Sequence, residues 1–242
     1  MGGGEQTSVG GDSGPANPAA RAAPMNPVYW CGWVGFRALY RFYFGWHVYN
    51  AERVPLRGSV ILAANHASFI DPPLVGAGIH RGINYLARES LFRFPVIGWV
   101  LHRWQAVPVD REGGGAKGLK AILDRLLQGG AIILFPEGTR SRDGKLQPAR
   151  SGIGLTVIKS TAPVIPVRVF GTYKAYGRHM RFPLPGRRVS VKYGRPMLFE
   201  SLRAEAKVCS KQRLKDIYQQ VANELMAAIA KLEPCEDKSE FP

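Results

Sequence analysis

Two short clusters hold the residues best suited to chemistry. The first is Asn65-His66-Ala67-Ser68-Phe69-Ile70-Asp71. A histidine can take a proton from an attacking hydroxyl. A carboxylate five residues on can reach the other ring nitrogen if the chain turns between them. That contact fixes the tautomer and stabilises the imidazolium, with the substrate's own hydroxyl serving as nucleophile. Pro72-Pro73 stiffens the segment just after the acid. The second cluster is Phe135-Pro136-Glu137-Gly138-Thr139-Arg140-Ser141. Gly138 permits an unusual backbone angle. Arg140 suits a phosphate, because its planar fork gives two parallel hydrogen bonds.

Each cluster directly follows an apolar run, 60–64 in one case and 131–135 in the other. Buried strands read this way, and the residues after them open at the end of a sheet, where sites in α/β folds gather. Further strands are expected at 83–87, 105–109, 164–170 and 188–193. Helices are expected at 118–127, with apolar residues at 119, 122, 123, 126 and 127, at 152–159, and at 211–232. The alternation predicts an α/β domain with a mixed, mostly buried sheet flanked by helices.

The chain has 242 residues and a formal net charge of +15. Such a balance calls for an anionic partner: nucleic acid, an anionic membrane surface or a phosphorylated substrate. The stretch around Lys174, Arg178, Arg181 and Arg187, interleaved with Tyr173, Tyr176 and Phe182, fits headgroups, a donor's phosphates or a plain solvated loop. The three cysteines, Cys31, Cys209 and Cys235, match no zinc or disulfide spacing, and His66, His80 and Asp71 do not make a metal-ligand set of sensible spacing. No metal and no bound cofactor are therefore expected. The organisation predicted is a disordered tail over 1–24, an aromatic membrane-anchoring segment over 25–50, the catalytic domain over 51–233 and an acidic tail over 234–242. Between Tyr29 and Tyr49 lie ten aromatic side chains, interrupted by Arg37 and Arg41. Aromatics sit well at headgroup level and arginines there snorkel to phosphate. A core helix packed on the catalytic domain is the competing reading.

Taken together, the two clusters resemble the glycerolipid acyltransferase family. Its N-H-x4-D block matches residues 65–71, and its F-P-E-G-T-R-S block matches 135–141 at every position. A family block ending in arginine resembles Val107-Pro108-Val109-Asp110-Arg111, and an apolar-proline block resembles Pro163-Val164-Ile165-Pro166-Val167. Ala106 stands where the family often has glycine, and Ala67 where a larger polar residue is common. The resemblance implies transfer of a fatty acyl group from acyl-CoA or acyl carrier protein to a lysophospholipid hydroxyl, with 1-acylglycerol-3-phosphate as acceptor. His66 would be the general base and Asp71 its orienting partner. Arg111, Glu137 and Arg140 would hold the acceptor's phosphate and glycerol end, with Gly138 and Thr139 shaping the loop. The cytoplasmic face of a membrane, held peripherally or monotopically, is the expected location. The alternatives are another acceptor, a lyso-aminolipid or glycerol-3-phosphate, and a basic nucleic-acid-binding module.

Overall fold

A run of five residues with no exposed surface, Val60–Ala64, lies at the centre of the molecule. In the computed structural model, which describes residues 25–109 and 116–237, this is strand β2. It pairs in parallel with β6 (Ala131–Leu134) on one side and with β7 (Val164–Phe170) on the other. The sheet continues through β8 (Val189–Tyr193) to β1 (Trp46–Tyr49) at one edge, and through β6 to β3 (Ile83–Asn84) at the other. Only the β7–β8 pair is antiparallel. The expected mixed sheet is therefore present. Two short strands, β4 (Leu86–Arg88) and β5 (Val107–Val109), form a separate parallel ribbon.

Burial on both faces follows from the alternation of side chains along β2. Val60, Leu62 and Ala64 face one core, with Leu74 and Val75 of α2 (Asp71–Ala77) and Tyr40 of α1 (Pro27–Tyr43). Ile61 and Ala63 face a second core, made with α4 (Ala116–Leu127), α5 (Ser151–Lys159) and α8 (Lys211–Lys231). Helix α8 lays Ile217, Val221, Leu225 and Ile229 across α5 and β7, as its apolar spacing requires. Ser210 caps its start by accepting from the Arg213 amide at 3.2 Å. The remaining helices are α3 (Pro95–Arg103), α6 (Thr172–Tyr176) and α7 (Glu200–Glu205).

Two expectations change. The stretch 83–87 is not one strand: it leaves the main sheet after Asn84 and resumes as β4 in the ribbon. The aromatic segment is not helical throughout and does not end before the domain. Its last residues form β1, whose Trp46 and Val48 lie opposite Val189 and Val191, so the fold begins ahead of residue 51. The described part of the acidic tail is tied to the domain. Asp237 pairs with Arg53 and with Lys192, whose ammonium also donates to the Cys235 carbonyl at 2.7 Å. Residues 1–24, expected to be a disordered tail, lie outside the described residues. No helix among the described residues is long and apolar enough to cross a membrane.

Candidate active site

Because β2 and β6 are parallel neighbours, the loops that follow them leave the sheet side by side. The first begins at Asn65, where β2 ends. Its side chain accepts from the Val169 amide at 2.8 Å and donates to the Val169 carbonyl, so it continues the β2–β7 ladder by one side chain. The chain then turns and enters α2 at Asp71. Pro72 and Pro73 fall in the first turn of that helix, where a missing N–H costs nothing.

Asp71 is fully buried, and one of its oxygens, Oδ2, takes three donors. The amides of Ala67 and Ser68 each donate at 2.6 Å, and His66 Nδ1 lies at 2.9 Å. The two amides secure a carboxylate in the interior, and the third contact makes Nδ1 the nitrogen that donates to it. Nε2 has no hydrogen-bond partner among the described residues. Phe135 stacks on the imidazole with centroids 4.0 Å apart and planes 20° from parallel, which fixes the plane of the ring.

The second loop grips the main chain of His66 from both sides. Glu137 Oε1 accepts from the His66 amide at 2.9 Å, and the Ser141 amide donates to the His66 carbonyl at 2.8 Å. The other Glu137 oxygen accepts from the Gln147 amide at 3.3 Å. Glu137 is only 2 % exposed, and burial pushes its carboxyl up to about 7, with the charge of Asp71 adding in the same direction. Sequence reasoning assigned Glu137 to the acceptor. Its carboxylate is turned inward and occupied by two amides, so its contacts here join the two loops. Gly138 has φ +68, and a Cβ there would meet the Arg150 side chain at 2.8 Å, so glycine is required for this turn.

Gly138 and Thr139 are exposed at the tip of the loop, and Arg140 is half-buried. The Arg140 guanidinium lies over the Phe69 ring, 3.4 Å from its centroid. Phe69 sits between His66 and Asp71 in the first loop, and its ring also approaches Tyr176 of α6 at 5.7 Å. The structure thus brings His66, Asp71, Glu137, Gly138, Thr139 and Arg140 into two adjoining loops. Arg111 lies outside the described residues. Phe69 and Phe135 were not singled out by function. The only signal in the sequence was their position inside the two motifs. The other histidines pack on aromatic rings: His80 on Trp33, His102 on Phe92, His47 on Tyr49 and, beside the two loops, His179 on Tyr173, whose hydroxyl donates to the Arg142 carbonyl.

The arrangement can accept a proton at a histidine nitrogen oriented by a buried carboxylate, with an arginine held alongside by an aromatic ring. Comparison with known proteins gives the same direction. The model of the acyltransferase family matches residues 45–170. The chain is 32% identical over 128 residues to the 1-acyl-sn-glycerol-3-phosphate acyltransferase of Bacillus subtilis (strain 168), which is 52% of this chain and 63% of that protein. It is 32% identical over 117 residues to a chloroplastic 1-acyl-sn-glycerol-3-phosphate acyltransferase of Brassica napus, covering 47% of this chain and 33% of the relative. The chain therefore spans a third to about two thirds of these relatives. The crystal structure of the 1-acyl-sn-glycerophosphate acyltransferase of Thermotoga maritima superposes with a TM-score of 0.63 at 25% identity, covering 85% of this chain and 79% of that one.

Proposed function

This chain belongs to the acyltransferase family, and on that footing we propose that it transfers a fatty acyl group from an acyl thioester to the free hydroxyl of 1-acylglycerol-3-phosphate, giving phosphatidic acid and a free thiol. The observation that carries the reading is the His66–Asp71 pair at 2.9 Å, with the carboxylate buried and the Nε2 edge unengaged. Nε2 accepts the proton of the acceptor's hydroxyl as its oxygen attacks the thioester carbonyl. Asp71 keeps the ring in the required tautomer and stabilises the imidazolium. The C–S bond then breaks, and the imidazolium returns its proton to the departing sulfur, so the ring ends as it began.

Arg140 binds the acceptor's phosphate, presented in a fixed plane by Phe69. Thr139 and Gly138 shape the rim of that subsite, and Arg111 supplies a second cation to it. Glu137 acts as a positioning residue. It holds the main chain of His66 at a set distance from the phosphate-binding loop. The thioester donor is acyl-CoA or acyl carrier protein. The reaction takes place at a membrane surface to which the chain is attached peripherally or monotopically. The exposed stripe of α1, with Trp30, Val34 and Phe42 beside Arg41, supports that attachment.

The test is thiol release from a panel of acyl donors and lysolipid acceptors, run on wild type and on folded His66→Ala. Turnover that needs both substrates and nearly vanishes in the variant is the expected result. A variant retaining most of the wild-type rate would remove His66 from the mechanism.

A further inference from the structure

Helix α3 departs from the way apolar helices behave in globular domains. Its sequence, Pro-Val-Ile-Gly-Trp-Val-Leu-His-Arg, is apolar around the whole circumference for its first seven residues. Helices of that composition are buried, in a protein core or in lipid. Here the only buried residue of α3 is Gly98. Val96 is 76 % exposed, Ile97 46 % and Trp99 52 %, and Phe94, just before the helix, is 58 % exposed. The contact that holds α3 explains why so little of it is covered. A Cβ on Gly98 would lie 2.5 Å from the Phe92 carbonyl oxygen, so the helix rests on the preceding 3-10 turn through its one bare position and turns its side chains outward.

Among the described residues, the charges beside the patch are of one sign apart from Glu89. Arg88, Arg93 and Arg103 are all exposed, and the Arg103 guanidinium lies over Trp99 at 5.5 Å from the ring centroid. Protein partners call for mixed charge and matched hydrogen bonds, whereas bulky apolar side chains rimmed by arginines match an acyl layer below anionic headgroups. The neighbouring helix is α1: Asn26 donates to the Arg103 carbonyl, and Tyr29 and Phe36 pack on Trp104.

We propose that Phe94, Val96, Ile97 and Trp99 form a second membrane-inserting element that enters the acyl region of an anionic lipid surface while Arg93 and Arg103 meet its phosphates. This rests on the reading that the chain works at a membrane, and it adds a second point of contact beyond α1.

Flotation of the full chain with vesicles of phosphatidylglycerol and phosphatidylethanolamine tests it. Val96→Glu combined with Ile97→Glu is expected to lower the vesicle-bound fraction on the order of tenfold at unchanged melting temperature, because both positions are exposed. The uncharged pair Val96→Ser and Ile97→Ser should weaken binding less. Quenching of tryptophan fluorescence by brominated acyl chains should fall when Trp99→Ala is introduced. Vesicle binding equal to wild type in both pairs overturns the inference and leaves α1 as the anchor. Conversion of a dimer to a monomer at unchanged vesicle binding also overturns it, because the patch would then be covered by a second copy. A wild-type chain that fails to float defeats the membrane reading itself.

Discussion

The two loops at the ends of β2 and β6 and the helical end formed by α1 and α3 contain similar kinds of residue, aromatics beside arginines, and use them in opposite ways. In the loops the charges at the site's centre have partners from within. Asp71 takes three donors, Glu137 takes two, and Arg140 lies on Phe69. At the helical end one arginine is answered internally: Arg37 donates to the Ala77 carbonyl at 2.7 Å and lies over Trp33 and Trp46. It is therefore a tie between α1 and α2, not the snorkelling partner of Arg41 that its spacing suggested. The rest of that end leaves Trp30, Phe42, Val96 and Trp99 uncovered. The polar groups of the loops are largely matched to one another, whereas apolar side chains of the helices stay uncovered, as the proposed membrane contact requires. Substitutions in the loops should therefore cost chemistry or stability and leave lipid binding alone, and those on the outer faces of the helices should do the reverse.

The largest effect expected is at the base. Folded His66→Ala should lose roughly a hundredfold to ten-thousandfold in turnover at unchanged vesicle binding. Asp71→Asn should be comparably severe. An amide nitrogen facing His66 Nδ1 selects the wrong tautomer, and the Ala67 and Ser68 amides lose their anionic acceptor. Steady-state rates on proteins of matched melting temperature check both. A fall in vesicle binding alongside turnover would show that the two regions are not separate.

Arg140→Ala comes next. Removing one member of a partly buried charge pair costs about 2–4 kcal/mol, so kcat/KM for 1-acylglycerol-3-phosphate should fall by about thirtyfold to a thousandfold. The donor's KM should change less. The decisive comparison is an acceptor lacking the phosphate, which the substitution should hardly touch. An equal slowing of both acceptors would make Arg140 structural or donor-binding.

Much of this site was legible before the fold was. Buried apolar runs on a central strand carry an unmistakable signal, so 60–64 and 164–170 coincide with β2 and β7 residue for residue. The two motifs follow such runs, which placed His66, Asp71 and Arg140 at a sheet end. Three things were not visible. The first is direction: the sequence states that position 137 is a glutamate, not that its carboxylate points inward to two amides. The second is non-local pairing. Trp46–Tyr49 becomes a strand because β8 lies beside it, more than a hundred residues later. The third is punctuation. Pro72-Pro73 signalled only a stiff segment, yet prolines in a first turn are compatible with α2.

Glu137 offers a finer probe of how the loops are joined. In Glu137→Gln the amide nitrogen must face either the His66 or the Gln147 N–H, leaving one donor unmet at a cost of about 1–3 kcal/mol. The pH dependence has a definite sign. The folded carboxyl titrates near 7 against an ordinary value of 4.5, so the folded state binds the proton more tightly. Its contribution to stability is fully present below the ordinary value and is lost as pH rises through about 7. Wild type should therefore melt progressively lower across that window, and Glu137→Gln should flatten that part of the slope. Thermal melts at several pH values check this. Parallel curves for the two proteins would mean that the carboxyl does not titrate there.

The smallest effect expected is at Phe69, where the two regions come closest in appearance. Its ring is 53 % exposed, about as much as Trp99 on α3. On exposure alone it would count as another lipid-facing aromatic. What distinguishes it is the guanidinium of Arg140 over its face and its place between the base and the carboxylate. An exposed cation–π contact is worth about 0.5–1 kcal/mol. Phe69→Leu keeps an apolar side chain of similar bulk and removes the π face, so Arg140 should lose its fixed plane but not its charge. The acceptor's KM should then rise by about twofold to fivefold. The rate at saturating acceptor and the donor's KM should hold, because His66 and Asp71 are untouched. Phe69→Tyr, which retains the ring, should restore the KM. Vesicle flotation decides which region Phe69 belongs to. If Phe69→Leu lowered the bound fraction as the α3 substitutions are expected to, and left the acceptor's KM unchanged, the ring would be part of the membrane surface, and that surface would reach the rim of the site.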